Sequence, residues 1–192
     1  FYREKLQLLT RYHETHEDAY LLRRLAGHDT YTALPTQQRM QALYIFSATN
    51  RPARRALLRL FDRIIPETTA TGPSKSAVLD ADLSRDRLTL LDNLARLVED
   101  DPHMNIQETM DTLIEDVIEE VSNPHYELNQ GTKGTCAPTS VQWIITAYFP
   151  SEYVRLLSGL LSQLGRVVLA NGNTATVPAD THRYDAGEES SH

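Results

Sequence analysis

Cysteine is almost missing from this chain of 192 residues: Cys136 stands alone. One thiol excludes an intrachain disulfide and any zinc site built from several cysteines, and it says little about compartment. No stretch approaches the roughly 18 consecutive apolar residues of a membrane span. The opening Phe1-Tyr2-Arg3-Glu4-Lys5 is charged and helix-like, so no signal peptide is visible. An initiator methionine is absent too, and the chain stops on Glu188-Glu189-Ser190-Ser191-His192. The expectation is an excerpt from a longer protein. No internal repeat stands out. The histidines of His13-Glu14-Thr15-His16-Glu17 are three apart, where a zinc peptidase helix needs four, so a solvated helix face is the better reading. The acidic run Asp111, Glu115, Asp116, Glu119 and Glu120 lacks the alternation and central glycine of a calcium loop, and it too reads as a polar helix face. No cofactor is indicated.

What is present is an ordinary globular composition, 41% hydrophobic with a mean hydropathy of −0.41. The length suits one domain, or one domain with a helical extension. The net charge of −7 is unevenly spread. Residues 1–65 hold 11 Lys/Arg against 6 Asp/Glu, whereas residues 66–128 hold 4 against 15. The two blocks suit charge pairing with one another, or two solvated faces of opposite sign. Arg51, Arg54, Arg55, Arg59 and Arg63 recur at helical spacing without interleaved glycines or aromatics. They read as a solvated helix face, not as a nucleic-acid surface.

Apolar periodicity makes residues 1–122 helical. One stripe runs from Leu6 to Leu25 and ends at Gly27. A second helix starts at Pro35 and buries Met40, Leu43, Tyr44 and Phe46. Asn50 caps a third, with Pro52 at an early position, running to Ile65 and Pro66. Glu67 to Ser76 is Thr/Gly/Pro/Ser-rich and reads as a mobile loop. Residues 83–87 open a helix carrying Leu88 to Val98, and another covers Ile106 to Val121. Asn123-Pro124 breaks it. Trp143, Ile144, Ala147 and Tyr148 predict a buried helix, and Pro150 starts the next. Strand character follows only in 166–170 and 173–177, joined by Asn171-Gly172, a two-residue hairpin signal. The fold class expected is mainly α with a small β-hairpin near the C-terminus.

The chemistry lies in Asn129-Gln130-Gly131-Thr132-Lys133-Gly134-Thr135-Cys136. Residues 137–145 read as a helix start, which places the thiol at the positive end of a helix dipole and favours its thiolate. A glutamine amide held near the sulfur can donate to the oxyanion formed when a thiolate attacks a carbonyl. A lone cysteine is more often a buried structural thiol, and Gln130 has weight only through its position relative to Cys136. Lys133 reads as a solvent-facing loop lysine.

The pattern Asn-Gln-Gly-x-x-Gly-x-Cys resembles the nucleophile segment of the papain-like cysteine peptidases. It covers about eight residues strongly and some thirty more weakly. The resemblance implies Cys136 as nucleophile at the head of a central helix and Gln130 as oxyanion donor. Lys133 stands where plant and lysosomal members carry a disulfide cysteine, and Ala137 where they carry an aromatic. The likeness is therefore to a divergent, bacterial-type branch of the superfamily. That family also needs a histidine on a later element. Only His182 and His192 follow Cys136, both in a polar tail; His125, before the motif, reads as a loop residue. His182, shortly after the hairpin, is the candidate inside the chain, and the expectation is that the base lies beyond residue 192.

Residues 1–122 are thus expected to form a helical bundle, serving as pro-segment or recruiting module, that leads into a partial papain-like α+β domain from residue 123. The implied reaction is acyl transfer on a protein or peptide substrate, with peptide-bond cleavage first. A transglutaminase-like acyltransferase and a non-enzymatic helical scaffold with a degenerate site stay open. The remaining partner expected is the rest of the protein's own longer chain, and no nucleic acid or membrane span is indicated.

Overall fold

The computed structural model describes residues 16–66, 75–100, 110–128 and 136–177. Among these, the chain is mainly α-helical with two small antiparallel hairpins. The helices are α1 (His16–Ala26), α2 (Asp29–Ala33), α3 (Thr36–Ala48), α4 (Arg51–Asp62), α5 (Leu90–Glu99), α6 (Met110–Ser122), α7 (Pro124–Glu127), α8 (Cys136–Tyr148) and α9 (Pro150–Leu161). Strands β1 (Ile64–Ile65) and β2 (Lys75–Ser76) follow α4, and β3 (Arg166–Val168) and β4 (Thr174–Thr176) follow α9.

Local chemistry accounts for the helix starts. Asn50 accepts a hydrogen bond from the Ala53 N–H at 3.1 Å, and Pro52 loses nothing at a position whose N–H has no partner in the helix. At α5, Thr89 and Asp92 cap each other reciprocally: the Asp92 N–H donates to Thr89 Oγ1 at 3.1 Å and the Thr89 N–H to Asp92 Oδ2 at 2.9 Å. Each long helix then buries one face. Leu57, Leu60 and Phe61 of α4, Leu90, Leu91 and Leu94 of α5, and Val117, Ile118 and Val121 of α6 form one core, which Tyr153 and Val154 of α9 also join. Helix α4 packs on α6, while α3 and α9 pack on α5. Helix α8 rests on α7, α9 and α6 at the edge of the bundle.

Several boundaries differ from the sequence reading. The third helix ends at Asp62, and Ile64-Ile65 pairs as a strand with Lys75-Ser76. β-Branched residues before a proline suit extended backbone, and a buried Arg63 holds the turn. Residues 85–87 form a turn with Arg87 at φ 60°, so α5 starts at Leu90. The C-terminal hairpin turns through three residues, 170–172, not two. Leu169 and Asn173 close it (N···O 2.7 Å), and Gly172 alone takes positive φ, at 86°. Asn171 instead accepts the Asn173 N–H at 2.9 Å.

The basic stripe is also differently used. Arg54 and Arg51 bind Asp18 of α1 at 2.9 and 3.2 Å, Arg55 binds Glu17, and Arg63 is buried. Most of these arginines are therefore neutralised within the first block. Arg59–Glu119 at 3.6 Å crosses to the acidic block.

Candidate functional site

Cys136 is the first residue of α8, a helix of 13 residues. The backbone N–H groups of a first turn have no intrahelical acceptor, and their dipoles sum to a partial positive charge there. Gln130 and His182 lie outside the described residues, as do Lys133 and His192, so of the expected site only the placement of Cys136 is described.

The far end of α8 is held firmly, by groups the sequence reading did not single out. The Arg63 guanidinium, 8% exposed, donates to the carbonyl oxygens of Thr146 and Ala147, each at 2.8 Å, and to that of Val121. It thus satisfies the last turns of both α8 and α6, where orphan carbonyls carry partial negative charge. Burial pushes its pKa down to about 10, which leaves it a cation at neutral pH.

One turn further in, Gln142 Nε2 donates to the Tyr153 hydroxyl at 2.9 Å and to Glu120 Oε1 at 3.3 Å, and that hydroxyl donates to Glu120 Oε2. This knot joins α8, α9 and α6. Burial raises the Glu120 pKa, the Tyr153 hydroxyl opposes that, and Asp116 and Glu127 add to it. Burial and then the Glu120 charge push the Tyr153 phenol above its usual range, so it serves as a donor and not as a proton source.

His125 of α7 meets Trp143 edge-on at 5.2 Å. Trp143 lies seven residues beyond Cys136, on the same helix face and about 10 Å further along the axis. The contact therefore anchors α7 to the body of α8. The helix is less buried than its apolar sequence predicts. Ala147 is fully buried, but Val141 and Ile144 are 56% and 48% exposed. The reason is the position of α8 at the bundle edge, where only one face meets α6, α7 and α9. Among the described residues, no three His, Cys, Asp or Glu side chains are grouped to hold a metal ion, and no helix is long and apolar enough to cross a membrane.

Sequence placed Arg63 and Glu120 on solvated faces because each sits in a run of like residues, and only burial distinguishes them. No family model matches the chain, and neither a curated protein nor a solved structure matches it.

Proposed function

We propose that this chain carries the nucleophile segment of a papain-like thiol acyl hydrolase, with Cys136 as nucleophile and peptide bonds as the leading substrate class. The observation that supports this reading is the start of α8 at Cys136, the final residue of Asn-Gln-Gly-x-x-Gly-x-Cys. In the reaction, the thiolate forms a bond to the carbonyl carbon while the carbonyl π pair moves to oxygen. Gln130 and the Cys136 backbone N–H donate to that oxyanion. Collapse expels the amine, which takes a proton from an imidazolium, and water then hydrolyses the thioester to acid and free thiol. His182 is the imidazole this chain offers for that proton.

Alkylation of Cys136 by iodoacetamide, followed from acid to alkaline pH against a Cys136→Ser blank, tests the nucleophile. The expected midpoint lies below the roughly 8.5 of an ordinary thiol. Turnover of peptide esters by this chain is expected to be very weak, resting on His182, to vanish in Cys136→Ser and to fall about 10²–10³-fold in Gln130→Ala. An ordinary midpoint together with turnover indifferent to both substitutions overturns the reading. One observation favours the alternative, a non-enzymatic helical interaction module: the exposed Val141 and Ile144 on the very helix that Cys136 heads.

A further inference from the structure

A second feature lies away from α8, where α9 faces α5 across a cleft of about 310 Å³ floored by β3. Its walls carry four arginines, Arg85, Arg96, Arg155 and Arg166, against two aspartates, Asp86 and Asp100. Two of the four are already engaged by a carboxylate, since Asp86 lies 3.4 Å from Arg85 and 3.8 Å from Arg155.

The arginines divide into two kinds. Arg155, 5% exposed, is fixed at the back. Its Nε and Nη2 donate to the two carboxylate oxygens of Glu152 at 2.8 and 2.6 Å, and Nη2 also to the Val168 carbonyl at 2.8 Å. Glu152 is held in turn by the Arg85 backbone N–H at 2.9 Å. Arg96 of α5 and Arg166 of β3 are exposed and line the same cleft, and neither forms an ion pair with a described carboxylate; Asp92, one turn before Arg96, is held instead by Gln41 and Thr89. Close packing holds β3, and with it Arg166, against α9. Gly159 of α9 lets Val167 approach so near that an added Cβ would lie 2.8 Å from the Val167 Cβ.

We infer that this cleft binds a small soluble oxyanion, a phosphate monoester or inorganic phosphate, gripped between the Arg96 and Arg166 guanidinium groups. The cleft is at the small end of the range for small-molecule sites. Planar guanidinium forks suit the paired oxygens of a phosphate. The fixed Arg155–Glu152 pair keeps the back wall rigid without reorganisation on binding. A site recessed between two helices excludes a flat lipid surface, so the source is a free anion.

Calorimetric titration of the full chain with inorganic phosphate and with O-phosphoserine, at ionic strength matched with chloride, tests the proposal. Saturable binding is expected for the wild type. Arg96→Gln and Arg166→Gln should each weaken it about tenfold or more, as expected for loss of hydrogen bonds to a charged group. Arg23→Gln with Arg24→Gln, which removes two cations from another surface recess, should leave it unchanged. Circular dichroism of each variant establishes that the fold persists, which the exposure of Arg96 and Arg166 favours. Three results would overturn the proposal: heats no larger than those of chloride, equal weakening by the Arg23/Arg24 control, or binding only to phosphatidic acid vesicles and not to soluble phosphate.

Discussion

Arg63 shows how one buried cation can organise two helix ends. Among the described residues no carboxylate pairs with it, and its charge meets the carbonyls of Val121, Thr146 and Ala147. Arg63→Ala would strand those buried acceptors and open a cavity, and is expected to cost about 3 kcal/mol in urea unfolding followed by Trp143 fluorescence. Arg63→Lys, which keeps the charge but not the planar fork, should cost less. Glu120 makes a prediction about pH. Its folded-state pKa is raised, chiefly by burial. Its contribution to stability is therefore fully present below the unfolded-state carboxylate pKa and is lost as pH rises through the raised folded value. Glu120→Gln should flatten this component. The urea midpoint of the variant relative to wild type is expected to improve steadily from mildly acid to neutral pH. A difference that does not change with pH would show that Glu120 titrates alike in both states.

At the scale of elements, caps and close approaches decide where the chain turns. Thr89→Ala removes one half of the α5 capping box and should cost about 1 kcal/mol at neutral pH. The loss should shrink at acid pH. Burial alone would raise the Asp92 pKa, but hydrogen bonds from Thr89 and Gln41, with the Arg96 charge, hold it below the usual range. A depressed carboxylate stabilises above its unfolded pKa and loses that contribution as pH falls through the folded value, so the box weakens in acid even in the wild type. Gly159→Ala brings a Cβ to 2.8 Å from the Val167 Cβ. Hairpin β3–β4 must then move off α9, at about 1–3 kcal/mol. Proteolysis at the hairpin should accelerate in this variant, and an unchanged cleavage pattern would show that the floor absorbs the extra carbon. Helix α8 is the least symmetric element, with its C-terminal half tied by Arg63, Gln142 and Trp143 and its surface at Val141 and Ile144 uncovered.

For the whole molecule, the question is what joins the basic and acidic blocks. Among the described residues the polar side-chain contacts across the blocks include the Arg59–Glu119 ion pair at 3.6 Å and hydrogen bonds from Asn50 Nδ2 to Glu115 at 2.6 Å, from Gln41 Nε2 to Asp92 at 2.5 Å and from Arg63 to the Val121 carbonyl. The shared apolar core of α4, α5 and α6 is much larger, so association should rest on burial and not on charge. A protease site inserted between residues 70 and 71, cut to completion, should leave the two halves co-eluting. This should persist at about 1 M salt, where the Debye length is only about 3 Å. Separation at high salt alone would show that ion pairs hold the blocks together.

The helical class, the long helices and the existence of the C-terminal hairpin were legible because apolar periodicity, Asn50, Pro52 and Gly172 are local signals that act within a turn or two of chain. The start of α8 at Cys136 was legible for the same reason. The strand at Ile64-Ile65 was not, since its partner Lys75-Ser76 is recognisable only once the two are paired. Nor was the division of the arginines into surface ion pairs, a buried clamp and the walls of a cleft. Each belongs to the same residue type, and only the packing of distant helices sets its dielectric surroundings and its acceptors. Sequence by itself determined which segments form the long helices and, at Asn50 and Pro150, where they start. The tertiary structure alone decided which charges are buried, because burial depends on neighbours dozens of residues away.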